Sequence, residues 1–125
     1  MNVIITGASR GLGKAMAEQF AAQGHNLYLG ARNKTTLNET VMELRARFPT
    51  ITIEAKTNDL GNRNGVEEFG QWILDSKVFV DVLINNAGSF IPGSVHDEPE
   101  GSLEKMMEVN LYSAYHLTRK LLPGM

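Results

Sequence analysis

Short apolar runs alternate with amphipathic stretches along the chain, and this pattern predicts four strands and four helices. The predicted strands span residues 2–6, 26–30, 51–56 and 78–85. The predicted helices span residues 11–23, 34–48, 65–76 and 102–122. In the second of these helices, apolar residues recur at helical spacing and form a stripe: Leu37, Val41, Leu44 and Phe48. Because each strand is followed by a helix, the order predicts a parallel sheet with right-handed crossovers and helices on both faces, a doubly wound α/β domain.

Composition and charge narrow the class of protein. The 125 residues predict a single domain, residues 1–125, and the 42% hydrophobic and 21% charged fractions are typical of a soluble globular protein. The net charge of −2 gives no basic surplus for binding a nucleic acid or a membrane. There are no cysteines for thiolate chemistry, and the three histidines are too far apart for a local metal motif. The chain starts without a signal-peptide pattern and has no apolar run of about 20 residues, so we expect a cytoplasmic protein.

A glycine-rich turn connects the first predicted strand to the first predicted helix. It reads Thr6-Gly7-Ala8-Ser9-Arg10-Gly11-Leu12-Gly13. Glycines allow a sharp turn and the close approach of a pyrophosphate, and the free N–H groups at the start of a helix favour phosphate. We therefore predict that the phosphate-binding residues of this turn are Gly7, Ser9, Arg10, Gly11, Leu12 and Gly13. One alternative is an ordinary glycine-rich turn. A P-loop does not fit, because Ala15 follows Lys14 where that motif requires Ser or Thr.

Four segments, in order along the chain, resemble motifs of the short-chain dehydrogenase/reductase family. Residues 6–13 match its TGxxxGxG turn, and residues 85–88 match its NNAG segment. Asp59-Leu60 match its adenine-binding pair, and Asn110 matches the helix asparagine of its active site. The resemblance covers essentially the whole chain. It implies a Rossmann-like sheet of strand order 3-2-1-4, and an oxidoreductase that uses a nicotinamide dinucleotide and acts on a carbonyl or alcohol substrate.

The resemblance also implies roles for residues that follow the third and fourth strands. The Asp59 carboxylate would accept from the adenine amino group, and the Leu60 backbone would donate to the ring. Asn86, Ala87 and Gly88 would run along the ribose on the nicotinamide side. Two structural alternatives stay open: Asp59 caps the following helix, and the NNAG segment simply turns the chain after a buried strand.

The end of the second predicted strand indicates which nicotinamide cofactor is bound. A carboxylate at this place accepts from the adenosine 2′-hydroxyl and selects NAD, whereas it repels the 2′-phosphate of NADP. Gly30 and Ala31 stand here, neither of them acidic, and Arg32 and Asn33 follow. Arg32 and Arg10 offer guanidinium groups for charge-assisted bonds to a phosphate, and Asn33 adds a donor. The sequence therefore predicts NADP(H). The alternative is that both arginines are solvated surface charges.

The resemblance implies catalytic residues that this sequence does not contain. The family uses a tyrosine acid/base, a lysine four residues later that lowers the tyrosine pKa, and an orienting serine. Asn110 would help to hold a water linked to that lysine. The nearest match to Tyr-x-x-x-Lys runs from Tyr115 to Arg119, on the helix of Asn110, and an arginine does not act as a titrating relay. We therefore expect a truncated N-terminal part without turnover of its own.

Two apolar surfaces predict self-association. The strand at 78–85 is long and apolar, and it would form an edge of the sheet, where unpaired backbone groups recruit partners. The last helix would expose a partly apolar stripe: Leu103, Met106, Met107, Leu117 and Leu121. We expect a homo-oligomer through one of these surfaces. Two other interpretations stay open: a nucleotide-binding or self-associating module without catalysis, and an inert truncation product that binds no cofactor.

Overall fold

A computed structural model describes residues 1–125 and is built around a four-stranded parallel sheet. The strands are β1 (Asn2–Thr6), β2 (Asn26–Ala31), β3 (Ile53–Thr57) and β4 (Val82–Ile84). The helices are α1 (Gly11–Ala22), α2 (Lys34–Arg47), α3 (Arg63–Asp75), α4 (Ser102–Met107) and α5 (Ser113–Leu121). One π-helical turn (Glu108–Tyr112) joins α4 to α5, and a short 3-10 turn (Leu122–Gly124) follows α5. The strands lie in the order β3-β2-β1-β4. This order confirms the predicted doubly wound, Rossmann-like topology.

Alternate residues of the strands point to opposite faces of the sheet and fill two apolar layers. Val3 and Ile5 of β1 pack with side chains of α1 and α2 on one face. Ile4 packs with side chains of α3 and α5 on the other face. All three are fully buried, as expected for a central strand of a parallel sheet. Burial of one such side chain stabilises the fold by about 1.5–3 kcal/mol. The two layers fix the sheet, and with it the loops at its carboxyl edge.

The fourth strand is much shorter than the sequence predicted. Only Val82–Ile84 pairs with β1, whereas the apolar run predicted a strand over residues 78–85. The segment before β4 is held by Asn2 instead, whose side-chain amide donates to the Phe79 carbonyl oxygen at 2.9 Å. The backbone N–H of Asn2 also donates to the Asp81 carboxylate at 2.7 Å. The expectation of a long apolar edge strand is therefore wrong. In the first half of residues 78–85, hydrogen bonds to Asn2 replace the strand-to-strand hydrogen bonds of a sheet.

The last helix is interrupted, and its buried face differs from the predicted one. Asn110 lies in the π-helical turn, which inserts an extra residue and changes the helical register that follows. Leu117 and Leu121 are buried against α3, so the expectation that they are exposed is wrong. Gly101, with φ +86°, occupies the N-cap position of α4, which begins at Ser102, the predicted start of the last helix. No helix in the structure combines the length and apolar character that a membrane span needs.

Candidate nucleotide-binding site

A cleft of about 640 Å³ opens at the carboxyl ends of all four strands. Of the fourteen predicted cofactor-binding residues, twelve line it: Gly7, Ser9, Arg10, Gly11, Ala31, Arg32, Asn33, Asp59, Leu60, Asn86, Ala87 and Gly88. Leu12, Gly13 and Asn110 are not among its lining residues. Five further residues line it that the sequence did not single out: Thr36, Asn58, Gly61, Ser89 and Val109. The structure thus brings together four loops that are far apart in the sequence.

The glycine turn has the backbone that its sequence requires. Gly7 and Gly11 have φ values of +66° and +58°, in the left-handed region that favours glycine. Gly13 lies below the turn, where a Cβ would overlap the Gly7 carbonyl oxygen. Arg10 is the N-cap residue of α1, and no side chain caps the helix there. The positive end of the helix dipole and its first N–H groups therefore lie at the cleft without a capping side chain from the protein itself.

Thr6 fastens the turn after β4 to the turn after β1. Its Oγ1 accepts from the backbone N–H groups of Asn86 at 3.0 Å and Ala87 at 2.9 Å. The Asn86 side-chain amide donates in turn to the Gly7 carbonyl oxygen at 3.1 Å. Thr6 is buried at the end of β1, so these bonds are shielded from water. No local sequence pattern indicates this role of Thr6, because its partners lie about eighty residues away along the chain.

The glycine turn is also tied to β2 and α2. The Ala8 N–H donates to the Gly30 carbonyl oxygen at 3.0 Å, and the Thr40 hydroxyl donates to the Ser9 carbonyl oxygen at 2.8 Å. Gly30 packs against the ring of Phe69, which would lie 2.6 Å from a Cβ at this position. Packing therefore explains why position 30 holds a glycine and not an acid. The next residues, Ala31 and Arg32, line the cleft.

The two cationic residues that line the cleft have no carboxylate partner. Arg10 and Arg32 are exposed, and neither forms an ion pair, in contrast to Arg45, which pairs with a glutamate. Asn33 caps α2, because its Oδ1 accepts from the Thr36 N–H at 3.0 Å. Its side-chain NH₂ group stays available as a donor. This end of the cleft therefore presents donors and positive charge, which suit a phosphate.

Asp59 is not a helix cap, so that alternative for this residue is wrong. Its Oδ1 accepts from the Gly61 N–H at 2.8 Å in a local Asx turn, and Asn62 caps α3 by accepting from the Gly65 N–H at 2.8 Å. Helix α3 accordingly begins at Arg63, two residues before the predicted start. Asp59 is exposed and is the only carboxylate among the residues that line the cleft.

Asn110 fixes the loop after β4 through a reciprocal pair of hydrogen bonds. Its Oδ1 accepts from the Ser89 N–H, and its Nδ2 donates to the Ser89 carbonyl oxygen, both at 2.8 Å. A Cβ on Gly88 would lie 2.9 Å from the same Oδ1. Both polar atoms of the amide are thus used on the backbone of Ser89, and the side chain holds the wall of the cleft in place. The predicted water-holding role of Asn110 stays a prediction.

The groups with shifted pKa values lie outside the cleft. A hydrogen bond from Lys14 lowers the pKa of Glu43, and the same bond raises the pKa of Lys14. A hydrogen bond from Lys120, with a second from Arg63, lowers the pKa of Glu67. The chain has no group of three or more His, Cys, Asp or Glu side chains placed to hold a metal ion.

A glycine turn at the carboxyl edge of a doubly wound parallel sheet defines the class of dinucleotide-binding α/β domains. The chain belongs to the short-chain dehydrogenase family, whose model matches residues 1–125. It is 32% identical over 122 residues to the uncharacterized oxidoreductase YvaG of Bacillus subtilis, covering 98% of this chain and 45% of that protein. It is 38% identical over 127 residues to dehydrogenase/reductase SDR family member 7B of Bos taurus, covering 98% of this chain and 39% of that protein.

Solved structures show the same likeness. L-sorbose reductase from Gluconobacter frateurii, complexed with NADPH and L-sorbose, superposes with a TM-score of 0.92 at 30% identity, over 99% of this chain and 47% of that one. An alcohol dehydrogenase from the archaeon Thermococcus sibiricus, complexed with 5-hydroxy-NADP, gives a TM-score of 0.91 at 32% identity, over 98% and 52%. The chain thus spans about half the length of the relatives it matches.

Proposed function

We propose that the chain is the cofactor-binding part of an NADP(H)-dependent oxidoreductase that acts on a carbonyl or alcohol group. The observation that carries this proposal is the pair Arg10 and Arg32, which line one end of the cleft without a carboxylate partner. The cleft at the end of β2 has no acid that would repel a 2′-phosphate. The two related structures described above were complexed with NADPH or an NADP derivative, which supports the same choice.

The residues of the cleft suggest how the dinucleotide lies. The N-terminus of α1, with Gly7 and Gly11, would hold the pyrophosphate, and Arg10 and Arg32 would hold the 2′-phosphate. Asp59 would accept from the adenine amino group. Asn86 to Gly88 would contact the nicotinamide ribose, and a bound nicotinamide would supply hydride chemistry at that end. The chain's own contribution is to bind and orient the cofactor.

We propose further that these 125 residues have no turnover alone. The sequence contains no Tyr-x-x-x-Lys pair. Tyr115 accepts from Arg119 at 3.2 Å, but both residues line a separate apolar groove on α5 and not the cleft. A phenol at that place has no access to a cofactor in the proposed position. Substrate reduction therefore requires residues that this chain does not supply.

A second proposal concerns association between copies of the chain. The groove on the outer face of α5 has a volume of about 570 Å³ and is lined partly by Leu111, Tyr115 and Leu122, each more than half exposed. Exposed apolar surface of this kind is stabilised when a partner covers it. We propose that two copies associate through this groove. The three exposed residues are not those of the stripe predicted from the sequence.

Titration with NADPH and NADH tests the main proposal. We expect NADPH to bind at least about tenfold more tightly, because only its 2′-phosphate reaches the two guanidinium groups. Nucleotide fluorescence measures both affinities, and absorbance at the reduced nicotinamide band measures turnover with added ketones. Equal affinity for the two cofactors, or tighter binding of NADH, contradicts the NADP(H) assignment. Oxidation of NADPH by a ketone contradicts the absence of turnover.

A further inference from the structure

The buried face of α2 contains one polar side chain, that of Thr40. The other buried residues of this helix are Leu37, Val41 and Leu44, and Thr40 itself is only 2% exposed. A buried hydroxyl destabilises a fold unless it forms a hydrogen bond, and within a helix Thr often bonds to the carbonyl oxygen of the preceding turn. The Thr40 hydroxyl instead donates to the Ser9 carbonyl oxygen at 2.8 Å, across 31 positions of the chain.

This hydrogen bond acts on the peptide unit that leads into Arg10. The Ser9 carbonyl oxygen and the Arg10 nitrogen belong to the same planar unit, so a bond that fixes the oxygen also fixes the direction in which the chain enters Arg10. Arg10 is the N-cap residue of α1, with an extended backbone at φ −159° and ψ 174°. Its exposed side chain lines the cleft. Thr40 therefore restricts the positions that the Arg10 guanidinium can reach.

The same helix also holds the second cation of the cleft. Arg32 is followed by Asn33, which caps α2 by accepting from the Thr36 N–H at 3.0 Å. Thr40 lies one helical turn after Thr36. Helix α2 is thus connected to Arg32 through its N-cap and to Arg10 through the bond to Ser9. The two guanidinium groups repel each other, and a rigid connection between them opposes their separation.

Other hydrogen bonds hold the first half of the glycine turn. The Asn86 side-chain amide donates to the Gly7 carbonyl oxygen at 3.1 Å, and the Ala8 N–H donates to the Gly30 carbonyl oxygen at 3.0 Å. These bonds do not depend on Thr40. In the proposed binding mode this half of the turn faces the pyrophosphate, which NADPH and NADH share. Loss of the Thr40 bond should therefore affect the contact with the 2′-phosphate more than the contact with the pyrophosphate.

We propose that Thr40 is a positioning residue for the 2′-phosphate, because its hydroxyl holds Arg10 where one phosphate can bind both Arg10 and Arg32. This inference rests on the proposed NADP(H) binding and adds to it a residue that is not among those lining the cleft. Cations that are already in place bind a phosphate more tightly, since less conformational freedom is lost on binding. Selection of NADPH over NADH thus depends on a buried hydroxyl as well as on the two arginines.

The test measures the ratio of the affinities for NADPH and NADH by nucleotide fluorescence in the parent chain and in variants of Thr40. Thr40→Val keeps the shape of the side chain and removes the donor. We expect its NADPH affinity to fall at least about threefold and its NADH affinity to stay within about twofold of the parent value. Thr40→Ser keeps the hydroxyl and should keep the parent ratio. Thr40→Ala also removes the donor but favours the helix, so it replaces Thr40→Val if that variant does not fold.

Thr35→Val is the matched control. Thr35 is exposed in the first turn of the same helix and does not line the cleft, so its substitution should change neither affinity. This control separates the effect of the buried hydroxyl from a general effect of replacing Thr by Val on α2.

The outcomes distinguish this inference from the proposed function. A parent chain that binds NADPH no more tightly than NADH overturns both. If the parent chain prefers NADPH, the inference alone is overturned when the variants without the hydroxyl keep the parent ratio. An equal loss of affinity for the two cofactors also overturns it, because Thr40 then acts only through the stability of the turn. Loss of the preference in Thr40→Ser would show that the hydroxyl is not the cause.

Discussion

The side-chain amide of Asn86 donates to the carbonyl oxygen of Gly7 across 3.1 Å and joins the turn after β4 to the turn after β1. Asn86→Ala removes this partly buried bond, and we expect the free energy of unfolding to fall by about 1–2 kcal/mol. NADPH affinity should fall as well, because in the proposed binding mode the two turns hold opposite parts of the cofactor. Urea denaturation and nucleotide titration measure the two effects.

Asn85→Ala is the matched control for that variant. The Asn85 amide donates to the Thr118 hydroxyl at 3.0 Å, but this bond is exposed and Asn85 does not line the cleft. We expect its loss to cost no more than about 0.5 kcal/mol and to leave NADPH affinity unchanged. Equal effects of the two variants would show that the bond to Gly7 has no special importance.

Arg32→Gln should affect one cofactor only. Because the guanidinium lies at the cleft without a carboxylate partner, its loss is expected to weaken NADPH binding at least about tenfold and to leave NADH binding unchanged. Arg119→Gln, an exposed arginine outside the cleft, is the control and should affect neither cofactor. A uniform loss of affinity for NADPH and NADH in Arg32→Gln would mean that Arg32 acts through the fold of the cleft.

Gly13→Ala tests the packing below the glycine turn. A Cβ at this position overlaps the Gly7 carbonyl oxygen and comes within 2.5 Å of the Asn86 amide, so backbone must shift. We expect a loss of at least about 2 kcal/mol in the free energy of unfolding. Gly124→Ala meets no atom within 4 Å and should be neutral. Thermal unfolding measures the melting temperatures of both variants. Equal melting temperatures would contradict the packing described above.

The contact between α3 and α5 should make the stability of the fold depend on pH through Glu67. Its carboxylate accepts from Lys120 at 3.0 Å and from Arg63 at 3.2 Å, and these bonds lower its pKa below the ordinary 4.5. A lowered pKa in the folded state favours the charged form, so the stability that Glu67 contributes is present above about pH 4.5 and is lost as the pH falls through the folded-state value.

Glu67→Gln should therefore lower stability at pH 7 and flatten the decline of stability between pH 5 and pH 3. Urea denaturation across this range measures the slope. Glu39→Gln is the control, because Glu39 is exposed on α2 and forms no ion pair. If the stability of Glu67→Gln declines between pH 5 and pH 3 as steeply as that of the parent chain, the ion pair between α3 and α5 contributes nothing to folding.

The groove on α5 predicts an effect on oligomeric state. Leu111 is 51% exposed and lines this groove, so Leu111→Glu places a charge in the proposed contact and should convert a dimer to a monomer. Met42→Glu is the control, because Met42 is 72% exposed on the remote helix α2. Light scattering at high protein concentration measures both. A parent chain that is monomeric throughout would contradict the proposed association.

Local patterns were sufficient to predict most of the fold and most of the cleft. The alternation of elements gave the parallel topology, and the glycine turn gave the place where β1 meets α1. Residues that share a short motif, such as Asn86 to Gly88, were correctly predicted to line the cleft because the motif occupies adjacent positions in the sequence. Thr36 and Val109 were missed, since neither belongs to a motif and only folding brings them to the cleft.

The sequence by itself determined the order of the elements and the residues that turn at the strand ends, because periodicity and glycine conformation act over a few neighbouring positions. The tertiary structure alone decided the length of β4, the π-helical turn at Asn110 and the burial of Leu117. It also gave Thr6 its partners and explained Gly30 through Phe69. These features depend on contacts between residues remote in the chain, and a pattern read along the chain contains no information about which remote side chains will meet.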